Sequence, residues 1–252
     1  MPLFRTRALV LKVHYLSDTD KLVTFFTERY GKVKAVAKGA RRLKSRYGAS
    51  LEPLTLVSLI YFGKEHQDLF RVNQCDIVSF HQEIRDSLDT FFYALYFIEL
   101  LDSLTAEGHC DTEVFAFATA SLEALNPEQN PELLCRIFEL RLLSLLGYRP
   151  RLEQCVKCRK FPRSHWVGFS YNSQGIFCAP CLEGNPVEAR IKLGTLQYLK
   201  RLLTHDLQRW TRLKIPKDTE QELEQFTHRL VLARLGRELK SYPLLKQMTQ
   251  ST

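Results

Sequence analysis

Two Cys-x-x-Cys pairs constrain the fold of this 252-residue chain more than any other feature: Cys155-Val-Lys-Cys158 and, after 19 intervening residues, Cys178-Ala-Pro-Cys181. Two thiolates three positions apart on a tight turn reach one ion at ~2.3 Å, and two such turns complete a tetrahedron. The spacing matches a C-x₂-C…C-x₂-C pattern of structural zinc sites. Four thiolates fill the coordination shell and leave no open position for an activated water, so the reading is one structural Zn²⁺ per chain. Trp166–Tyr171 and Ile176-Phe177 flank Asn172-Ser-Gln-Gly175 and predict a hairpin that returns the second pair to the first, as in a zinc ribbon. His165 is a spare ligand that four cysteines make unnecessary. The remaining cysteines, Cys75, Cys110 and Cys135, fall in strand or helix patterns and read as small buried hydrophobes.

Metal rather than disulfide presupposes a reducing compartment. Arg5, Arg7 and Lys12 interrupt the apolar residues of Met1–Tyr15, which therefore lacks the h-region of a secretory signal. The most apolar stretch, Phe91–Leu101, falls well short of the ~20 residues that span a bilayer. The expected location is cytoplasmic.

Residues 3–79 carry strand patterns. Val33, Ala35 and Ala37 alternate with Lys32, Lys34, Val36 and Lys38, a period of two. Leu22–Thr27, Leu54–Phe62 and Leu69–Val78 are rich in β-branched and aromatic residues, and Ser17-Asp18, Tyr30-Gly31, Gly39, Gly48 and Gly63 punctuate them. Five or so short strands in about 80 residues predict a small barrel. The OB-fold is the commonest barrel of that size that binds nucleic acid, with an SH3-like barrel as the alternative.

From Gln82 the period becomes helical: Leu88, Phe91, Phe92, Leu95, Ile98 and Leu101 share one face. Asp111-Thr112 caps a second helix to about Leu125, and Asn130-Pro131 opens a third that Gly147 closes. Helical patterns resume near Thr195–His205 and Asp218–Leu239 after an irregular segment at 150–190. The resulting fold class is α+β: a β-barrel over 1–80, then a helical domain over 81–252 with the four-cysteine ribbon inserted at about 150–190.

Charge is distributed unevenly. The first 80 residues hold fourteen Lys and Arg against seven Asp and Glu, whereas the rest of the chain is nearly balanced. Between Glu28 and Glu52 lie Arg29, Lys32, Lys34, Lys38, Arg41, Arg42, Lys44 and Arg46 without one acidic residue. A cationic track of this density suits the phosphates of a nucleic-acid strand. Lys34, Lys38, Arg41, Arg42, Lys44 and Arg46 are the expected phosphate contacts, with Tyr47 the favoured base-stacking residue. Phe26 reads as core.

Several chemistries are missing. Gly31-Lys32 and Gly63-Lys64 lack the neighbours of a P-loop, and neither H-E-x-x-H nor G-x-S-x-G occurs. His205-Asp206 is an isolated pair on a helix pattern. No catalytic residue is assigned.

Longer stretches carry a resemblance. Ala8-Leu-Val-Leu11, Asp20-Lys-Leu-Val-Thr-Phe-Phe-Thr27, Gly31 and Ala37-Lys-Gly-Ala-Arg-Arg42 with Lys44-Ser45 resemble the N-terminal domain of the RecO family of bacterial recombination mediators. Arg136-Ile-Phe-Glu-Leu-Arg-Leu-Leu-Ser-Leu-Leu-Gly147 and Gly236-Arg-Glu-Leu-Lys-Ser241 are similar to later family segments. The resemblance implies an OB-fold, a helical C-terminal domain and no catalytic activity. It also implies binding to single- and double-stranded DNA, annealing of complementary strands, partnership with RecR and the single-stranded-DNA-binding protein SSB, and help in loading RecA, hence a nucleoid-associated protein. Arg136, Arg141 and Phe138 on the third helix are the expected pocket for the acidic SSB tail. The competing readings are a zinc-containing DNA-repair enzyme, a glycosylase or nuclease, and an RNA-binding module.

Overall fold

The computed structural model describes residues 2–64, 69–126, 128–185, 187–204, 207 and 213–249. By its contacts the chain forms two compact units, Met1–Pro127 with Leu239–Thr252, and Glu128–Glu238.

Five strands build the barrel of the first unit: β1 (Leu3–Tyr15), β2 (Lys21–Thr27), β3 (Gly31–Ala37), β4 (Leu56–Phe62) and β5 (Phe70–Ser79). They pair in the order β1-β2-β3-β5-β4, with β4 returning to β1. The pairings are antiparallel except between β3 and β5, where a parallel contact joins Ala35 to Phe70 and Val36 to Arg71. This is the order of the expected OB-fold, with one 3₁₀ turn, Gly48–Leu51, between β3 and β4. Alternate residues fill the interior: Ala8 and Val10, Val23 and Phe25, Val33 and Ala35, Val57, Leu59 and Tyr61. Phe26 is buried as expected, but on the other face of β2, with its ring 6.1 Å from Phe115.

The barrel unit also takes in helices from beyond residue 80: α1 (Gln82–Asp86), α2 (Leu88–Leu104), α3 (Thr112–Glu123) and the last helix of the chain. Helix α2 buries Tyr93, Ala94, Tyr96, Phe97, Ile98, Leu100 and Leu101, most of its circumference, so it is the centre of this helical layer. Asp111 caps α3 by accepting from the N–H groups of Glu113 and Val114, as its sequence position predicts. Gly31, at φ +65°, packs so closely that a Cβ there would lie 2.2 Å from the carbonyl oxygen of His109.

The second unit packs α4 (Pro131–Leu145), α5 (Leu193–Thr204) and α6 (Lys217–Leu235) with a three-stranded sheet, β6 (Trp166–Ser170), β7 (Gly175–Phe177) and β8 (Ala189–Lys192). Asn130 and Pro131 open α4, and Gly147 at φ +87° ends it, with Tyr148 N–H reaching back to Leu143 O at 2.7 Å. Phe169 of β6 meets Phe226 of α6 edge-on at 4.8 Å. The predicted hairpin is β6–β7, and β8 adds a third strand. Among the described residues no helix is long and apolar enough to cross a membrane.

The last helix, α7 (Ser241–Thr249), docks on α2 in the first unit. Glu99 of α2 accepts hydrogen bonds from the N–H groups of Lys240 (2.9 Å) and Ser241 (2.8 Å), so a carboxylate caps the positive end of α7. Tyr96 and Tyr242 pack with ring centroids 5.8 Å apart.

A partly buried ion cluster ties strands to helices in this unit. Lys32 Nζ lies 3.1 Å from Asp102 Oδ1 and Lys12 Nζ 3.0 Å from Asp102 Oδ2. Burial opposes ionisation of Asp102, but the two ammonium groups outweigh it and hold its carboxyl below the ordinary 3.8. A carboxylate depressed in the folded state contributes stability that is present above its unfolded pKa and lost as pH falls through the folded one. Stability should therefore decline from about pH 5 downward, and Asp102→Asn should flatten that acid limb while lowering the plateau at neutral pH. Urea midpoints measured across this range test the assignment; an acid limb of unchanged steepness in Asp102→Asn would refute it.

Candidate metal centre and nucleic-acid interface

The sulfur atoms of Cys155, Cys158, Cys178 and Cys181 all lie within 4.8 Å of one another, with Cys158 and Cys178 3.6 Å apart. Tetrahedral thiolate coordination at ~2.3 Å places sulfurs about 3.8 Å apart, so the set fits a single ion. Each pair sits on a tight turn. In the first, Arg159 N–H donates to Cys155 O (2.8 Å) and Arg159 takes φ +59°. In the second, Cys181 N–H donates to Cys178 O (2.8 Å) in the 3₁₀ turn Ala179–Cys181.

The hairpin delivers one turn to the other. Val156 N–H donates to Ile176 O at 2.9 Å and Ile176 N–H to Arg151 O at 3.1 Å, stitching the first turn to β7. Phe177, Leu182 and Val187 pack around the sulfurs. Burial disfavours the Cys155 thiolate, but backbone N–H groups at Cys158, Cys178 and Lys157 outweigh it and bring its pKa down. Burial, followed by the neighbouring thiols, pushes Cys178 up. Binding a cation there would displace the protons of the thiols that ligate it. His165 is exposed and is not among the four clustered ligands.

The other cysteines divide. Cys75 and Cys135 are buried as expected, but Cys110 is exposed in the segment before α3, where its thiol reaches Glu28 O at 3.4 Å.

In the barrel unit, the basic run is more constrained than its charge count implies. Lys32 is enclosed by Asp102, and Lys34 is paired with Glu107 at 2.5 Å. The lysine face of β3 is therefore partly neutralised by acids that follow it by some seventy residues. Lys38, Arg41, Arg42, Lys44 and Arg46 occupy the loop from 38 to 46, are exposed, and form no ion pair among the described residues. Arg41 is nevertheless engaged: its Nη1 donates to Ser17 O at 2.8 Å and its guanidinium carbon lies 4.2 Å from the centre of the Tyr15 ring. Arg46 lies over Tyr47 at 5.0 Å and donates to its hydroxyl.

Tyr47 is not a stacking platform. It is 4% exposed, sits in the barrel core, and donates its hydroxyl hydrogen to Val72 O at 3.2 Å. A tyrosine can end a polar run and still point inward, because its hydroxyl needs only one partner at the edge of a core. Among the described residues of the barrel unit, the exposed large aromatic is Tyr15, at the end of β1. Leu43, within the basic loop, is also exposed. An apolar residue without periodic neighbours inside a run of cations was the available signal for it.

The expected SSB-tail pocket is not formed as anticipated. Arg136 is 6% exposed, with Nη1 3.2 Å from both Glu139 Oε2 and Thr227 Oγ1. Thr227 in turn donates to Glu139 at 2.5 Å. Phe138 is buried in the same helix, and Arg141 is half-buried. A buried guanidinium already matched by a carboxylate and a hydroxyl holds α4 to α6 instead of presenting a cationic rim. The His205-Asp206 pair lies outside the described residues.

Comparison with known proteins bears on the whole chain. The family model for the N-terminal part of recombination protein O matches residues 1–81, and that for its C-terminal part matches residues 85–243. This chain belongs to the RecO family. A protein of Symbiobacterium thermophilum named DNA repair protein RecO is 33% identical over 248 residues, covering 97% of each chain. Proteins of the same name from Syntrophus aciditrophicus and Pelotomaculum thermopropionicum are each 31% identical, covering 97% and 100% of this chain and 95% and 96% of their own.

In this RecO-family chain two glycines pack closely against side chains that surround the sulfur cluster. A Cβ on Gly175 would stand 2.3 Å from Val156 Cγ1, and one on Gly168 2.3 Å from Leu182 Cδ2. Gly175→Ala should therefore push the first cysteine turn off the hairpin and destabilise the second unit by about 1–3 kcal/mol. Gly184, with nothing within 4 Å of its Cβ position, lies at φ +74°, so Gly184→Asn provides a tolerated control. Thermal melts of the two variants test this; equal melting temperatures would contradict it.

Proposed function

We propose that this chain is a non-catalytic mediator of DNA repair and recombination, located in the cytoplasm with the nucleoid. Its barrel domain, residues 1–80, binds single- and double-stranded DNA without reading sequence. The observation that carries this reading is the trio Lys38, Arg42 and Lys44, exposed on one loop with no ion pair among the described residues. Phosphate oxygens complement such a loop, and contacts to phosphate position a strand without specifying bases. Membership of the RecO family supports the finer reading: annealing of complementary strands, and loading of RecA onto SSB-coated DNA together with RecR. Annealing needs no hydrolysis when bound cations reduce repulsion between strands. The SSB tail remains a proposed partner without an assigned pocket.

The test follows from counterion release. Removing Lys38, Arg42 and Lys44 together by alanine substitution should reduce the log–log salt slope on single strands by about 2, because each phosphate contact contributes ~0.7. The loss should be similar for different base sequences, and melting temperature should hold because all three side chains are exposed. An unchanged slope would remove the loop from the DNA-binding surface.

We also propose that Cys155, Cys158, Cys178 and Cys181 hold one structural Zn²⁺ per chain. Zinc is the ion that a closed set of four thiolates suits best, and it would lock the two turns to the hairpin without supplying a reactive site. Elemental analysis should give about one zinc per chain, and Cys158→Ser should lower both zinc content and melting temperature. Metal-free protein of undiminished stability would defeat this assignment.

A further inference from the structure

We propose that Leu43 and Tyr15 contact the bases of a single strand held by the basic loop, Leu43 as an apolar wedge and Tyr15 as a stacking face. This rests on the DNA-binding reading above and adds base contact to a surface so far argued from charge alone.

Leu43 is 108% exposed, more open than in an extended reference peptide. It occupies the first corner of a turn in which Ser45 N–H donates to Arg42 O at 2.9 Å. A preceding turn, with Arg42 N–H donating to Gly39 O at 3.1 Å, leads directly into it. Two consecutive turns thus present one leucine at their apex between Arg42 and Lys44. A fully solvated leucine gains nothing from the fold, so its side chain is available to a ligand.

Tyr15 is 74% exposed, and one face of its ring is covered by the Arg41 guanidinium at 4.2 Å. The loop joining β1 to β2 fixes this pair. Ser17 Oγ accepts from the N–H groups of Thr19 (3.3 Å) and Asp20 (3.2 Å). Asp20 Oδ1 accepts from Gly39 N–H at 2.8 Å, a bond that holds its carboxyl below the ordinary value. Arg41 N–H donates to Thr19 O at 3.0 Å. The turn from 39 to 42 is thereby tied to the β1–β2 loop through Asp20, which also accepts from the Thr19 hydroxyl, while Asp18 of the same loop is exposed. Tyr15, Arg41 and Leu43 are exposed on these two tied loops, where Lys38, Arg41, Arg42 and Lys44 outnumber the acids Asp18 and Asp20.

The occupant follows from this combination. Isolated apolar side chains on a mostly cationic pair of loops match a ligand that alternates flat apolar faces with negative charge, and a single nucleic-acid strand does so at every nucleotide. Leucine is among the residues used as wedges between bases, and aromatic faces stack on any base without regard to sequence. An anionic lipid surface shares the charge but not the stacking faces, so Tyr15 backed by Arg41 favours the strand.

Affinity of the full-length protein for oligothymidylate should be compared with that for a strand of equal length made of abasic sites, which keeps the phosphates and lacks the bases. The parent should prefer the base-bearing strand. Leu43→Ser and Tyr15→Ser should each weaken binding to it by about fivefold or more while leaving the abasic strand and the salt slope unchanged. Removing Lys38, Arg42 and Lys44 should weaken both strands alike. Equal affinity of the parent for the two strands, or equal losses on both in Leu43→Ser and Tyr15→Ser, would overturn base contact while the phosphate reading stands. Binding to neither strand would overturn both readings. Loss of binding to phosphatidylglycerol vesicles in Leu43→Ser, with oligothymidylate affinity intact, would assign the wedge to lipid and also overturn the proposal.

Discussion

A strand within a sheet must satisfy hydrogen-bonding groups on both edges, and β1 does so with two partners in succession. Leu3–Leu9 pair with β4, Ala8–Tyr15 pair with β2, and the two sets overlap only at Ala8 and Leu9. A register shift between Val10 and Lys12 bends the strand where it passes from one to the other. That bend lets five strands form a ring in which β3 and β5 contribute only two residue pairs. Ala8, Leu9, Val10 and Leu11 are buried in unbroken sequence because both faces of the strand are covered: Ala8 and Val10 fill the barrel interior, while Leu9 and Leu11 are buried outside that cluster. The strand then continues beyond its pairing with β4 and carries Tyr15 to the loop that braces the basic turn.

The features legible in the sequence are those whose cause is local. Period-two alternation over Val33–Ala37 and the glycines at 31, 39 and 48 marked the strands and turns because pleating and positive φ are properties of neighbouring residues. The cysteine cluster was legible for the same reason: each pair needs only one turn, and a hairpin between the pairs supplies the return. Asn130 and Asp111 announced their helices through caps made within three residues.

Partners distant along the chain were not legible. A count of charges from Arg29 to Leu51 cannot register that Asp102 encloses Lys32 or that Glu107 meets Lys34. Arg136 sits on a helix whose composition alone allows a surface cation, yet Glu139 and Thr227 complete a buried network around it. Tyr47 borders a solvated loop, and its inward direction depends on the carbonyl of Val72 across the barrel. In each case the deciding atom lies on another element, so local pattern could identify the residue without fixing what it faces.

The return of α7 to α2 has a consequence for synthesis. Residues 128–238 form one compact unit made of continuous chain, whereas the unit before them is completed only by residues 239–249. As the chain leaves the ribosome, the later unit has every segment it needs while the earlier one still lacks α7. Until then Tyr96 is without Tyr242 and Glu99 has no helix terminus to cap. The first part of the protein to be made is therefore the last to be finished.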